Sequence, residues 1–269
     1  MSPPRVPPMH SRVGLNVEGD NIVWGRSVRH DLMGRTSLTA LVVLSATGRR
    51  LPPAECELLD DLATSLMATD TRIWPPKLGR IVAALGTTAS GFCAAQLACA
   101  SDKMGPLILG DAAHLLRELT ERLGARVGQP EAIEAELARR LASGRRLPGF
   151  GAPFRPDDER LTALRESVAR RGRADGPYWL LAERVAAAAT RLRGLLPNIV
   201  LHGGALAMDV GLAPEEIGDV MLGLVVPLFL GTAREGARLR EPQLRELPAQ
   251  AVQYAGPQPR LSPRAQRGR

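Results

Sequence analysis

The chain has 269 residues, enough to bury one large core or one large and one small. Its 45% hydrophobic and 23% charged residues fit a water-soluble globular protein, and with only 3% aromatics the core must be built from Leu, Ala, Val and Ile, a mixture that favours helix over sheet. The formal charge of +7 is concentrated at the end, where Arg260, Arg264, Arg267 and Arg269 follow the last acidic residue, Glu246; with no aromatic after Tyr254 this reads as a solvated, disordered tail and argues against a nucleic-acid groove.

In chain order, a proline-rich arm comes first (1–13), and the short alternating run Gly14 to Trp24 suits a small hairpin. Pro52 and Pro53, followed by Glu55, Glu57, Asp60 and Asp61, open a helix through about Thr69, the acidic residues favouring the positive end of its dipole. Ile81 to Ala100 is small and apolar on nearly every side, which predicts a helix buried all round or at a subunit interface. Pro130 with Glu131 starts a helix that Gly144 stops, and Pro156 with Asp157 and Asp158 starts one that Gly172 stops. Pro177 to Arg193 is another, and Pro214 with Glu215 and Glu216 opens the next. Met221 to Leu230 is the most apolar stretch, far short of the roughly 20 residues of a membrane span, and reads as a buried helix. A second proline-punctuated arm closes the chain (257–269). No internal repeat and no βαβ alternation is present, so the fold class is all-α.

Cys56, Cys93 and Cys99 are odd in number and form no C-x-x-C pair, which points to reduced thiols in a cytoplasmic core and not to a disulfide frame or a zinc site. No metal-ligand spacing is present. The N-terminus has no apolar run of the signal-peptide type, so neither export nor a membrane partner is expected.

Several segments, in order and spread over most of the chain, carry a resemblance. They are Asp31 to Arg35 with Thr47 to Glu55 and Leu58 to Asp60, Arg80 to Gly86 running to Gly105 to Leu107, and Leu147 to Gly151 with Asp158 to Arg160. Pro197 and Asn198 follow, with Gly204, Gly211 to Glu215, and an arm from Arg240 to Pro242 and Tyr254 to Pro257. Together they resemble the citrate synthase and citryl-CoA lyase family, closest to its compact citryl-CoA-lyase-like branch. The matched family patterns are "lltGrlPspaE", "GPLHGGA", "lPGFGHp…DPRa" and "PNVDfysGvvl…lGippE". The resemblance implies a helical dimer of two domains, a large one over 14–110 with 213–256 and a small one over 111–212. Between them a cleft would close on a CoA thioester and a keto acid.

The family's condensation needs a carboxylate to take a methyl proton from the acyl-CoA and a histidine to hydrogen-bond the thioester oxygen as charge develops there. A second histidine polarises the ketone, and further His and Arg groups hold the substrate carboxylates. The resemblance places the thioester histidine at Ile108, the ketone histidine at Ala152 and the base at Val200. A substrate arginine falls at Val225, and another histidine near Asp70 or Thr71. Ile, Ala and Val can neither accept a proton nor stabilise an oxyanion. Arg160 alone survives as a carboxylate ligand.

Other polar groups have two readings each. His202 could face the cleft as a substrate ligand or be hydrogen-bonded at a helix start. His114 reads as a helix residue and His30 as a surface or capping one, while Asp70 and Asp111 suit helix ends, where carboxylates cap, or a displaced base. Gly149 and Gly151, and Gly203 with Gly204, could let a backbone approach CoA or supply positive φ in turns; the resemblance favours CoA for Gly149 and Gly151. The resulting expectation is a non-catalytic or regulatory member that retains coenzyme A or acyl-CoA binding, as a homodimer or as a heteromer with an active paralogue. The alternative is a repurposed acyl-CoA enzyme acting on a less charged substrate. A conventional citrate synthase or citryl-CoA lyase is the third reading.

Overall fold

The computed structural model describes residues 9–67, 70–101, 104–151, 157–241 and 246–257. It opens on a three-stranded antiparallel sheet, β1 (Gly14–Val17), β2 (Asp20–Val23) and β3 (Arg26–Ser27), in that order. Trp24 and Gly25 both have positive φ, the conformation a tight hairpin turn demands. The Trp24 indole N–H reaches the Ser45 carbonyl, and its ring lies over Gly48, where a Cβ would come within 3.0 Å of it. The sheet is thereby tied to the end of the first helix.

Among the described residues all else that is regular is helical, as the Ala- and Leu-rich composition predicts. α1 (Leu38–Thr47) is capped by Ser37, and α2 (Pro53–Ser65) starts on its proline and buries Leu58, Leu59 and Leu62. The apolar run Ile81 to Ala100 is not one helix. It divides into α3 (Trp74–Leu85) and α4 (Thr88–Cys99) at Gly86, because Thr87 and Ser90 form a capping box that satisfies the first turn of α4 and starts it anew. The two helices then pack closely on each other through Gly79, Gly91 and Ala95.

α5 (Leu107–Leu123) leads to α6 (Pro130–Ala142), which starts on its proline as predicted. α7 (Glu159–Arg170) begins at its cap, Asp158; Pro156 lies outside the described residues. α8 (Pro177–Arg193) has the predicted bounds, and Asp209 accepts the amides of Tyr178 and Trp179 at its start. α9 (Ile199–Asp209) is the central helix, buried from Ile199 through Met208. Gly203 and Gly204 are interior to it, in neither a turn nor a ligand loop. A Cβ on Gly203 would sit 2.7 Å from Leu109 Cδ2, and one on Gly204 would sit 2.7 Å from the Leu109 carbonyl oxygen. These glycines let α9 cross α5 at short range.

α10 (Pro214–Val225) is followed by a 3-10 turn (Val226–Phe229) and α11 (Leu230–Leu239), so the expected helix Met221 to Leu230 is interrupted. Pro227 has no N–H to continue an α-helical ladder. The run Pro214–Leu239 is long and apolar enough to cross a membrane by length and composition, and it packs against α1, α3 and α5. One buried cluster joins side chains from Val43 to Val225, and α5 passes unbroken through the expected division at 110–111. Of the three free cysteines, Cys56 and Cys99 are buried, whereas Cys93 is exposed and so is not the core thiol expected. The terminal arms fall largely outside the described residues.

Candidate functional site

A cavity of about 1030 Å³ opens between α5, the start of α9, the end of α10, the start of α3 and the loop 145–151. Its walls follow from local chain geometry. The segments 147–151 and 197–198, far apart in sequence, are zipped together: Phe150 pairs with Pro197, the Gly151 amide donates to the Leu196 carbonyl at 2.9 Å, and the Asn198 amide donates to the Gly149 carbonyl at 2.9 Å. Gly149 has φ +87°, and a Cβ there would lie 2.7 Å from the Leu201 nitrogen, so the loop lies directly on α9. Asn198 then caps α9 by accepting the Val200 amide, which sets Val200 at the cavity.

Ile108, Val200, Val225, Arg160, Gly149 and Gly151 all line this one space. Ala152 lies outside the described residues. Gly149 is accounted for by its φ and by Leu201. Gly151, at φ +77°, has open space beside it.

Arg160 is not a free cation. Asp158, whose side chain is wholly buried, accepts from Arg160 Nε at 2.7 Å and from its terminal nitrogen at 2.8 Å, and also from the Ile199 amide at 2.9 Å. Burial would push the Asp158 carboxyl up, but the Arg160 guanidinium and the Ile199 amide outweigh it and hold the group below the usual carboxylate range. The pair locks α7 to the start of α9.

His202 is two residues beyond Val200, on another face of α9, and does not line the cavity. It is fully buried, edge-on to Trp179 with ring centroids 5.1 Å apart, and its Nε2 lies 3.1 Å from Glu183. Arg165 binds the same carboxylate at 2.8 Å. Burial would raise the Glu183 carboxyl, yet His202 and Arg165 bring it down to about 2. His202, in the first turns of α9 and bonded to Glu183, fits the reading of a histidine hydrogen-bonded at a helix start, and it stands off the cavity.

Two groups read as candidate helix-end or helix residues stand on the cavity wall. Asp111 is interior to α5 and caps nothing there, because α5 begins four residues earlier, at Leu107. His114 is one turn further on. Its Nδ1 is 2.9 Å from the Arg117 guanidinium, which can only donate, so the proton of the neutral ring is on Nε2. Asp70 accepts the Arg72 amide in the turn before α3 and is not part of the wall. His30 sits beside the N-terminal sheet, its amide bonded to Ser27.

A polar cluster that the sequence reading did not single out closes one end. Glu118 binds Arg122 at 3.1 Å, Arg140 at 2.8 Å and Arg145 at 2.9 Å, and Arg146 lines the same rim. The Arg145 hydrogen bond, against the opposing effect of burial, and that of Arg140 hold the Glu118 carboxyl below its ordinary range. Several guanidiniums around one carboxylate leave a positive excess. The sequence carried a signal for it: Ile108, Asp111, Leu115 and Glu118 recur at helical spacing, and the basic residues Arg139, Arg140, Arg145 and Arg146 gather at the end of α6.

Citryl-CoA lyase from Hydrogenobacter thermophilus superposes with a TM-score of 0.74 at 20% identity, covering 96% of this chain and 99% of that one. This chain has the citrate synthase and citryl-CoA lyase-like fold. ATP citrate lyase from Methanothrix soehngenii, in complex with citrate and coenzyme A, matches with a TM-score of 0.70 at 18% identity over 94% of this chain and 43% of that one. Citrate synthase from Thermotoga maritima matches with a TM-score of 0.58 at 17% identity over 81% and 57%. No family model and no curated protein matches the sequence. The all-α expectation and the citrate synthase-like architecture are thus both met.

Proposed function

We propose that this protein is a non-catalytic or regulatory relative of citrate synthase and citryl-CoA lyase that binds a CoA thioester in the 1030 Å³ cavity. The observation that carries the reading is the convergence of Ile108, Val200 and Val225 on that one cavity, with Arg160 already committed to Asp158. On the resemblance these positions are those of the thioester donor, the base and a substrate arginine. Their side chains offer no proton acceptor and no oxyanion donor. Support for a CoA ligand comes from the positive rim at Arg140, Arg145 and Arg146, which suits phosphates, and from the CoA-bound neighbour of the same fold. The purified protein should release no thiol from acetyl-CoA with oxaloacetate and cleave no citryl-CoA, while binding CoA in calorimetry. Thiol release well above the blank, abolished by substituting a cavity residue, overturns the reading.

In this proposal the parts 14–110 with 213–256 and 111–212 move as large and small domains about the cavity. The protein is placed in the cytoplasm as a homodimer, or as a heteromer with an active paralogue. Leu78 and Leu85, seven residues apart on α3, are 44% and 67% exposed, and Leu97 on α4 is 78% exposed, which supports a covered face there.

A specific observation favours the repurposed-enzyme alternative as second reading. Asp111 and His114 share the cavity wall with Ile108, and His114 holds a proton on Nε2. A carboxylate base and an N–H donor one turn apart could serve a new acyl substrate. CoA-thioester turnover lost in both Asp111→Asn and His114→Ala would favour this reading over the first.

A further inference from the structure

The cavity has a direction. α5 presents Ile108 and Glu118 to it, ten residues or about 15 Å apart along the helix axis. At the Glu118 end stand Arg140 and Arg145, both on the Glu118 carboxylate. Beyond Ile108 the wall is apolar: Trp74 at the start of α3, Cys99 at the end of α4, Val225 at the end of α10 and Phe229 in the 3-10 turn that follows. Cys99 and Phe229 are 4% and 5% exposed and belong, with Ala95, to an apolar cluster separate from the main core. Burial alone pushes the Cys99 thiol up to about 11, as expected of a dry wall. An acetyl group would occupy only the neighbourhood of Ile108 and Val200. A volume of about 1030 Å³ is at the upper end of ordinary ligand sites, and its apolar part continues past that neighbourhood.

Resting on the CoA-thioester reading above, we propose that the cavity takes a thioester with an extended apolar acyl chain. The CoA phosphates lie at the arginine rim, the thioester passes Ile108 and Val200, and the chain runs to Trp74, Cys99 and Phe229. The ligand class is a fatty acyl-CoA, not the short or dicarboxylic acyl groups. No bond is made or broken. The site holds the thioester.

The test is calorimetry on the full chain with CoA, acetyl-CoA, butyryl-CoA, hexanoyl-CoA, decanoyl-CoA and free decanoate. Each methylene buried contributes up to about fourfold, so acetyl- to hexanoyl-CoA, four methylenes longer, should tighten at least tenfold. Trp74→Ala should weaken hexanoyl-CoA severalfold more than it weakens CoA. Cys99→Phe should remove the chain-length dependence, and the wild-type series decides the matter should that variant fail to fold. CoA binding with no dependence on chain length overturns the proposal and leaves the CoA reading standing. No binding of CoA or of any thioester overturns both. Free decanoate binding as tightly as decanoyl-CoA overturns the assignment to a thioester, because the arginine rim would then contribute nothing.

Discussion

Asp158 is where fold and site depend on a single side chain, and replacing it separates their contributions. It accepts from two nitrogens of Arg160 and from the Ile199 amide with its own side chain wholly buried. Asp158→Asn keeps the size, keeps an acceptor for Ile199 and keeps a good N-cap for α7, so it removes little besides the charge. Breaking one side of a buried ion pair costs about 3–5 kcal/mol. The Arg160 side chain is 27% accessible and water can take up part of its charge, so we expect about 1–3 kcal/mol, read from urea unfolding. Asp158→Ala also loses the cap and the Ile199 bond and should cost about 3–4 kcal/mol. The sign with pH follows from the depressed carboxyl. The pair's contribution is complete above the unfolded carboxylate value, near 4, and is lost as pH falls through the lower folded value. The gap between wild type and Asp158→Asn should be flat above about pH 5 and close below it. Asp158→Asn should also free Arg160 and strengthen citrate binding. Equal stability of Asp158→Asn and wild type at pH 7 would refute this account of the Arg160 pair.

Gly149→Ala should destabilise by at least about 2 kcal/mol in the same assay, since it forces a side chain into φ +87° and into Leu201; Gly151→Ala, with open space, should cost less. Val200→Asp should not create citrate synthase or citryl-CoA lyase activity in a thiol-release assay. The new carboxylate would lie in an apolar wall that raises its pKa, and Ile108 would still offer no oxyanion donor. Light scattering should give a dimer mass at micromolar protein, and Leu78→Asp combined with Leu85→Asp should give a monomer.

Helix identity was legible where proline and glycine punctuate the chain, as at α6 and α8, because those residues act locally. The division of Ile81 to Ala100 is hidden by an unbroken apolar composition, although Thr87 and Ser90 carry the capping signal. Gly203 and Gly204 read as loop residues because their use depends on Leu109 of a helix some ninety positions earlier. The cavity wall at Ile108, Val200, Val225 and Arg160 was placed by motif order, which is anchored by neighbouring glycines and prolines. The burial of His202 beside Glu183 and the bonds of Arg140 and Arg145 to Glu118 join separate elements, whereas Arg160 pairs with Asp158 two residues before it, a local contact at the start of α7. The contacts between elements depend on how the helices pack and follow from no local spacing alone.

The most direct test of the central claim is a side-by-side calorimetric titration of CoA and citrate. With apolar walls at Ile108, Val200 and Val225 and Arg160 held by Asp158, the cavity should bind CoA far more tightly than citrate, because each carboxylate brought against those walls without a partner costs several kcal/mol. Micromolar citrate binding, lost in Arg160→Ala, would contradict the account and restore a dicarboxylate site.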